Sequence, residues 1–278
     1  MDLPGLKVLI RGGGDLGSGV AIRLFRAGAN ILICELEKPL VVRRTVSFAE
    51  AVYNKRLLVE EVEACLANSQ QETSKALINR KISVIVDPEA EAVAWFKPHV
   101  VVDCRLMKTP PEQGFPGVKL IIGLGPGFVA GDNCHAVIET KRGPTLGRVL
   151  WQGAAEQDTH IPEGVKGYVE ERVLRAPHEG IFKARAKIGD IVTSGQVIAE
   201  VNGHEISAKF DGIVRGLVAD NLWVPRGLKV GDIDPRKEPR LCILVSDKSL
   251  AIGGGVVEAV LRFKGLRALL GGCSVEDI

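Results

Sequence analysis

The residues best suited to chemistry come early in the chain, in Gly12-Gly13-Gly14-Asp15-Leu16-Gly17. Gly12, Gly14 and Gly17 keep the G-x-G-x-x-G spacing: a first glycine for a tight turn, a second that lets a pyrophosphate reach the backbone, a third for close helix-strand packing. A helix opening through Asp15 and Leu16 would aim free N–H groups, with that of Gly13, at an anion. Glu35 follows Gly14 by about 20 residues, the separation at which a carboxylate holds a ribose hydroxyl. Arg43 and Arg44 fall in a stretch, Pro39 to Phe48, too long for a simple turn, and are candidates to clamp a second anionic group; two solvated arginines are the plain alternative.

These residues need strands that deliver them to one place. Leu6 to Arg11, Ile31 to Glu35, Ile82 to Asp87, His99 to Asp103 and Val118 to Gly123 read as short apolar strands of the near-continuous kind found in a parallel sheet covered on both faces. Each delivers a glycine or a carboxylate at its C-terminal end, Gly12 following the first, and in doubly wound sheets ligands sit outside the carboxyl ends of the strands. Gly12, Glu35, Asp103 and Gly123 should therefore rim one crevice, with Arg105 and Lys108 close to Asp103; Asp87, followed by Pro88, reads as a cap. A second glycine turn, Gly123, Gly125 and Gly127, could press its backbone on the same ligand. Cys104 and Cys134 fall near the crevice, with buried structural thiols the expected reading.

Helical spacing covers Val20 to Ala27 and Ser69 to Lys81, with a short helix from Pro88 to Phe96 and a last one from Val256 to about Leu270, preceded by the apparent turn Gly253-Gly254-Gly255. Leu57 to Ala67 fits either a helix or an irregular hairpin. From Val173 the pattern changes to short β segments, and Ala176, Gly180, Ile181, Val192 and Gly195 recur 32 residues later as Ala208, Gly212, Ile213, Val224 and Gly227. Such a pair of β units resembles the biotinyl and lipoyl carrier domains, although the hairpin Asn202-Gly203 carries no lysine to modify. The expectation is an α/β Rossmann-like doubly wound parallel sheet (1–165), an all-β barrel-sandwich hybrid (166–245) and a C-terminal glycine-rich turn and helix (246–278).

At 278 residues with 46% hydrophobic and 25% charged residues and a net charge of +2, the chain is an ordinary globular sequence with no demand for nucleic acid or membrane. Without a signal-peptide pattern or an apolar run of transmembrane length, it is expected to be cytoplasmic. Its six cysteines form no C-x-x-C pair and have no histidine at ligand spacing, so neither a metal site nor a disulfide framework is expected.

Gly12 to Gly19, Glu37-Lys38-Pro39 with Arg43 to Phe48, Val86-Asp87-Pro88, Gly123 to Phe128, Val137 to Thr140, Glu171 to Pro177, Gly231 to Arg236 and Ser246-Asp247-Lys248 together resemble the YqeB-type accessory proteins of the selenium-dependent molybdenum hydroxylase system. The resemblance spans nearly the whole chain and implies a cofactor-maturation role, with a first domain reminiscent of the XdhC-like factors. It implies a nucleotide or molybdenum cofactor as ligand and a hydroxylase client or other maturation protein as partner; the apolar face of the last helix, with Val256, Val260 and Phe263, leaves a homo-oligomer as an option. An NAD(P)-dependent oxidoreductase and a non-enzymatic scaffold are the alternatives; against the former, neither Tyr53 nor Tyr168 has a lysine four residues on.

Overall fold

The computed structural model describes residues 4–107, 114–157 and 164–270, so Lys108 and Cys273 lie outside the described residues. The chain forms two compact units: unit 1 takes Met1–Pro39, Phe48–Asp158 and Val245–Ile278, and unit 2 takes Leu40–Ser47 and Thr159–Leu244. Unit 2 thus borrows eight residues from within the first half of the chain.

Unit 1 is built on β1 (Lys7–Arg11), α1 (Asp15–Arg26), β2 (Asn30–Glu35), α2 (Ala51–Asn54), β3 (Arg56–Val59), β4 (Val62–Leu66), α3 (Gln70–Ile78), β5 (Ile82–Val86), α4 (Val93–Phe96), β6 (Val100–Asp103), β7 (Leu120–Leu124), β8 (Val129–Ala130), β9 (Ala136–Ile138), β10 (Val149–Leu150) and β11 (Gly153–Ala154). Nine of these strands make one sheet in the order β10-β9-β7-β6-β1-β2-β5-β4-β3, and β8 pairs with β11 separately. Its central strands run parallel and are almost wholly buried, β1 in register Val8↔Ile31 with β2 and Val8↔Val100 with β6. Both edges are antiparallel: β3 turns back on β4, and β10 on β9.

Two features correct the expected Rossmann-like doubly wound parallel sheet. The sheet is mixed, because the ambiguous stretch from Leu57 to Ala67 is the hairpin β3–β4 and adds an antiparallel edge. Among the described residues, no helix separates β6 from β7 or β7 from β9, so the regular alternation of strand and helix is lost beyond β6.

Unit 2 contains β12 (Val173–Arg175), β13 (Gly180–Ala184), β14 (Ile191–Val192), β15 (Val197–Val201), β16 (His204–Ser207), β17 (Gly212–Leu217), β18 (Trp223–Val224), β19 (Lys229–Asp234) and α5 (Arg240–Ile243). It is not the carrier-type barrel-sandwich hybrid expected from the repeat. The strands form two four-stranded antiparallel sheets, β12-β19-β17-β14 and β16-β15-β13-β18, completed by α5 and the borrowed segment 40–47. The 32-residue repeat is nonetheless visible in the chain: β13 and β17 open on Gly180 and Gly212, and each sheet draws strands from both copies. Phe182, Val214, Val224 and Ile233 fill the core between them, with Val42 against its side.

At Val245 the chain returns to unit 1 as α6 (Asp247–Arg262), so the C-terminal helix belongs to that unit. Gly253-Gly254-Gly255, expected as a turn, lies inside this helix. A Cβ at Gly253 would stand 2.7 Å from the Gly19 carbonyl oxygen in α1, and one at Gly255 would stand 2.2 Å from that of Gly147. These glycines are required for close approach of backbone to backbone, which outweighs their low helix propensity.

Candidate functional site

The junction between β1 and α1 is shaped by its glycines. Gly12 has φ +90°, which a side chain strains, and a Cβ at Gly17 would lie 2.0 Å from the Gly12 carbonyl oxygen. Gly14 is the residue before the helix, extended at φ −66° and ψ −168°, with no side-chain cap. Leu16 lies in the first helical turn beside Asp15, whose carboxylate accepts the Ser249 hydroxyl at 3.0 Å. The Gly13 carbonyl is already occupied, accepting the Ala49 N–H and the Ser18 hydroxyl, both at 2.9 Å.

Glu35 closes the same turn from the end of β2. Its Oε1 accepts the Gly13 N–H at 2.5 Å and its Oε2 the Leu36 N–H at 2.9 Å, leaving the residue 7% exposed. Burial pushes this carboxyl above the ordinary glutamate range, and the two N–H groups only partly oppose that. The acid expected to reach out for a ribose is therefore folded back onto the glycine turn, where it takes the N–H that an incoming anion would want.

Asp103, at the end of β6 and 3% exposed, is held by Arg105, whose Nε donates to Oδ1 and Oδ2 at 3.0 and 3.1 Å and whose Nη2 donates to Oδ2 at 2.7 Å. Arg11, at the end of β1, brings Nη1 to 3.6 Å from the same carboxylate and donates from Nη2 to the Pro88 carbonyl at 2.9 Å. Burial and the neighbouring Arg105 lower the Arg11 pKa. Asp87 has the capping role its Pro88 neighbour suggested, accepting the Glu91 and Ala92 N–H groups at 2.9 and 2.8 Å.

The second glycine turn is filled by the protein itself. A Cβ at Gly123 would meet the Phe128 ring at 2.0 Å, one at Gly125 the Thr140 hydroxyl at 2.7 Å, and one at Gly127 the Met107 carbonyl oxygen at 2.2 Å. These three glycines make room for neighbouring side chains and backbone. Arg43 and Arg44 are in unit 2, where the 7% exposed Arg43 donates Nη2 to the carbonyls of Leu241 and Leu244, both at 2.9 Å. Cys104 and Cys134 are buried, and burial drives the first thiol well above its usual pKa and the second to about 11, so both stay protonated at neutral pH. Among the described residues no three His, Cys, Asp or Glu side chains converge as metal ligands, and no helix is long and apolar enough to cross a membrane.

Unit 2 has its own cleft of about 540 Å³, bordered by β12 and β16, whose lining includes Glu170, Glu171 and Glu205 together with Arg175 and Lys209. The glycine turn with Glu35, Asp103, Arg105 and Arg11 remains the denser collection of chemically active groups. Arg11 is the member that its sequence conceals, since it looks like the last residue of a strand; its signal is a cation placed where the strand meets the first glycine.

Over 263 residues the chain is 47% identical to a protein of Escherichia coli (strain K12) described as "Uncharacterized protein YqeB"; the match takes in 94% of this chain and 49% of that protein, so the chain spans about half the length of the curated relative it matches. No family model matches. Among solved structures, an aspartoacylase family protein from Mesorhizobium loti aligns at 16% identity over 82% of this chain and 85% of that one, with a TM-score of 0.26. A succinylglutamate desuccinylase/aspartoacylase from Rhodobacter sphaeroides aligns at 13% over 83% and 84%, with a TM-score of 0.27. Overlap at that level carries neither fold nor function.

Proposed function

We propose that this protein is an accessory factor in the maturation of molybdenum hydroxylases, selenium-dependent ones included, and that it binds a phosphate-bearing ligand, a nucleotide or the molybdenum cofactor, at the Gly12–Gly17 turn. The likeness to YqeB extends the resemblance seen in the motifs, and the maturation role rests on that resemblance. The observation that carries the ligand site is the β1–α1 junction itself: Gly12 at positive φ and Gly17 under the Gly12 carbonyl set the opening of α1, its first N–H groups uncapped by any side chain of Gly14, at the ends of the central parallel strands. A phosphate there shares the turn with Glu35, so binding and the charge of Glu35 oppose each other. The client is a hydroxylase polypeptide that receives cofactor from this factor.

The reading is tested in two steps. Mass spectrometry of small molecules released from the native protein should find a pterin or a nucleotide. Deletion of the gene should leave the hydroxylase polypeptide present but lacking active cofactor, and Gly14→Val should fail to restore it. Full hydroxylase activity in the deletion strain would end the maturation reading, and NAD(P)H turnover with a small carbonyl substrate would replace it by the oxidoreductase alternative.

A further inference from the structure

Resting on the reading above, we propose that Arg105 is a phosphate-gripping residue parked on Asp103, and that the ligand of the glycine turn therefore carries two anionic groups, as a diphosphate does. Three observations converge on it. The stem of Arg105 lies against the turn, its Cγ 3.5 Å from the place a Gly12 Cβ would take. Its guanidinium uses Nε and Nη2 on Asp103 while Nη1 makes no hydrogen bond among the described residues, and the side chain is 31% exposed. Part of the planar fork is thus unused beside the glycine turn, and a guanidinium matches a phosphoryl group with two parallel hydrogen bonds.

The third observation is Arg11. Two guanidiniums share the single charge of Asp103, and the Nε of Arg11 is buried with no hydrogen-bond partner among the described residues. A buried donor left unmade in a folded protein calls for an explanation. Here one follows from geometry: when Arg105 turns to a ligand, Asp103 is not stranded, because Arg11 Nη1 is already 3.6 Å away, on a guanidinium whose Nε has no acceptor among the described residues. The exchange keeps every buried charge paired, which a single arginine on a single aspartate does not allow. Arg11 is the positioning residue of this pair and Arg105 the one that touches ligand.

The test compares inorganic pyrophosphate, inorganic phosphate and ADP as probes, by calorimetry on the full chain. Arg105→Ala should weaken pyrophosphate and ADP about tenfold or more while changing phosphate less than about threefold, since only the former reach both seats. Arg105→Lys, which keeps the charge but not the fork, should recover part of the loss and serves if the alanine variant melts early. Equal losses for phosphate and pyrophosphate, or unchanged pyrophosphate affinity in both variants, would overturn the two-seat proposal while leaving the turn as a site. A wild-type protein that binds none of the three probes would overturn the reading on which it rests, and this proposal with it.

Discussion

The Glu35 carboxylate lies 2.5 Å from the Gly13 nitrogen, so the protein supplies its own anion to the turn that its glycines open. Glu35 ionises against burial, and its folded pKa is raised above an unfolded value near 4.5. The sign follows directly: the protonated form favours the fold, so this contribution is fully present below about pH 4.5 and is lost as pH rises through the raised value. Glu35→Gln removes that titration. Thermal melts from pH 4 to 8 should show the wild type losing ground relative to Glu35→Gln as pH rises. The same substitution should tighten inorganic phosphate at pH 7, because the competing charge on the Gly13 N–H is gone. A stability difference flat across that range would show that burial does not govern Glu35.

The first and third glycines differ from the second in what they tolerate. A methyl at Gly17 meets the Gly12 carbonyl oxygen at 2.0 Å and has nowhere to go, so Gly17→Ala should cost about 1–3 kcal/mol or more in urea denaturation. Gly14, at φ −66°, occupies ordinary backbone, and Gly14→Ala should lose less than about 1 kcal/mol. If Gly14→Ala unfolds the protein as severely as Gly17→Ala, loss of ligand in Gly14 variants says nothing about phosphate approach.

What was legible in the sequence is what depends on local backbone. Gly12 needs a positive φ and Gly17 needs the space under a carbonyl five residues earlier, and both requirements are written in one short motif. The 32-residue repeat was legible for a similar reason, since equal strands begin on equal glycines. Gly253 and Gly255 resemble punctuation in the sequence because nothing nearby reveals that Gly19 and Gly147 press on them. The fold class failed where long-range pairing decides, in the sheet of unit 1 as in unit 2: Leu57 to Ala67 satisfies both periods, and only pairing of β4 with β5 decides for a hairpin. Arg43 reads from the sequence as a candidate clamp because its acceptor on Leu241 lies 198 residues further on.

Asp234 anchors the polar side of unit 2. It is fully buried, and burial alone would raise its pKa, but hydrogen bonds from Arg236 and the charges of Arg236 and Arg172 outweigh that and lower it. Its stabilisation is therefore present above an unfolded value near 3.8 and lost as pH falls through the lower folded value. Asp234→Asn should destabilise unit 2 by about 3 kcal/mol at pH 7, because Arg172 and Arg236 are left without their shared carboxylate, and by less near pH 2. Hydrogen exchange of β17 and β19 at the two pH values reads the difference; equal protection in variant and wild type at pH 7 would count against this role.

The last prediction separates structure from ligand binding at Arg43. Its guanidinium is buried and donates to the carbonyls of Leu241 and Leu244, which lie in and just beyond α5, while Thr45 donates its hydroxyl to the Cys242 carbonyl. These bonds, with Val42 against the core and its carbonyl 2.7 Å from where a Gly216 Cβ would stand, fasten segment 40–47 into unit 2. Arg43→Met keeps the stem and deletes these donors, leaving the Leu241 carbonyl only the Arg215 Nε at 3.3 Å and the Leu244 carbonyl without the Arg43 bond, at a cost of about 1–3 kcal/mol. Exchange should quicken at Arg240–Leu244, and pyrophosphate affinity at the glycine turn should stay within about twofold of wild type. A variant of unchanged stability but tenfold weaker pyrophosphate binding would return Arg43 to the ligand, as its place in a long basic loop first suggested.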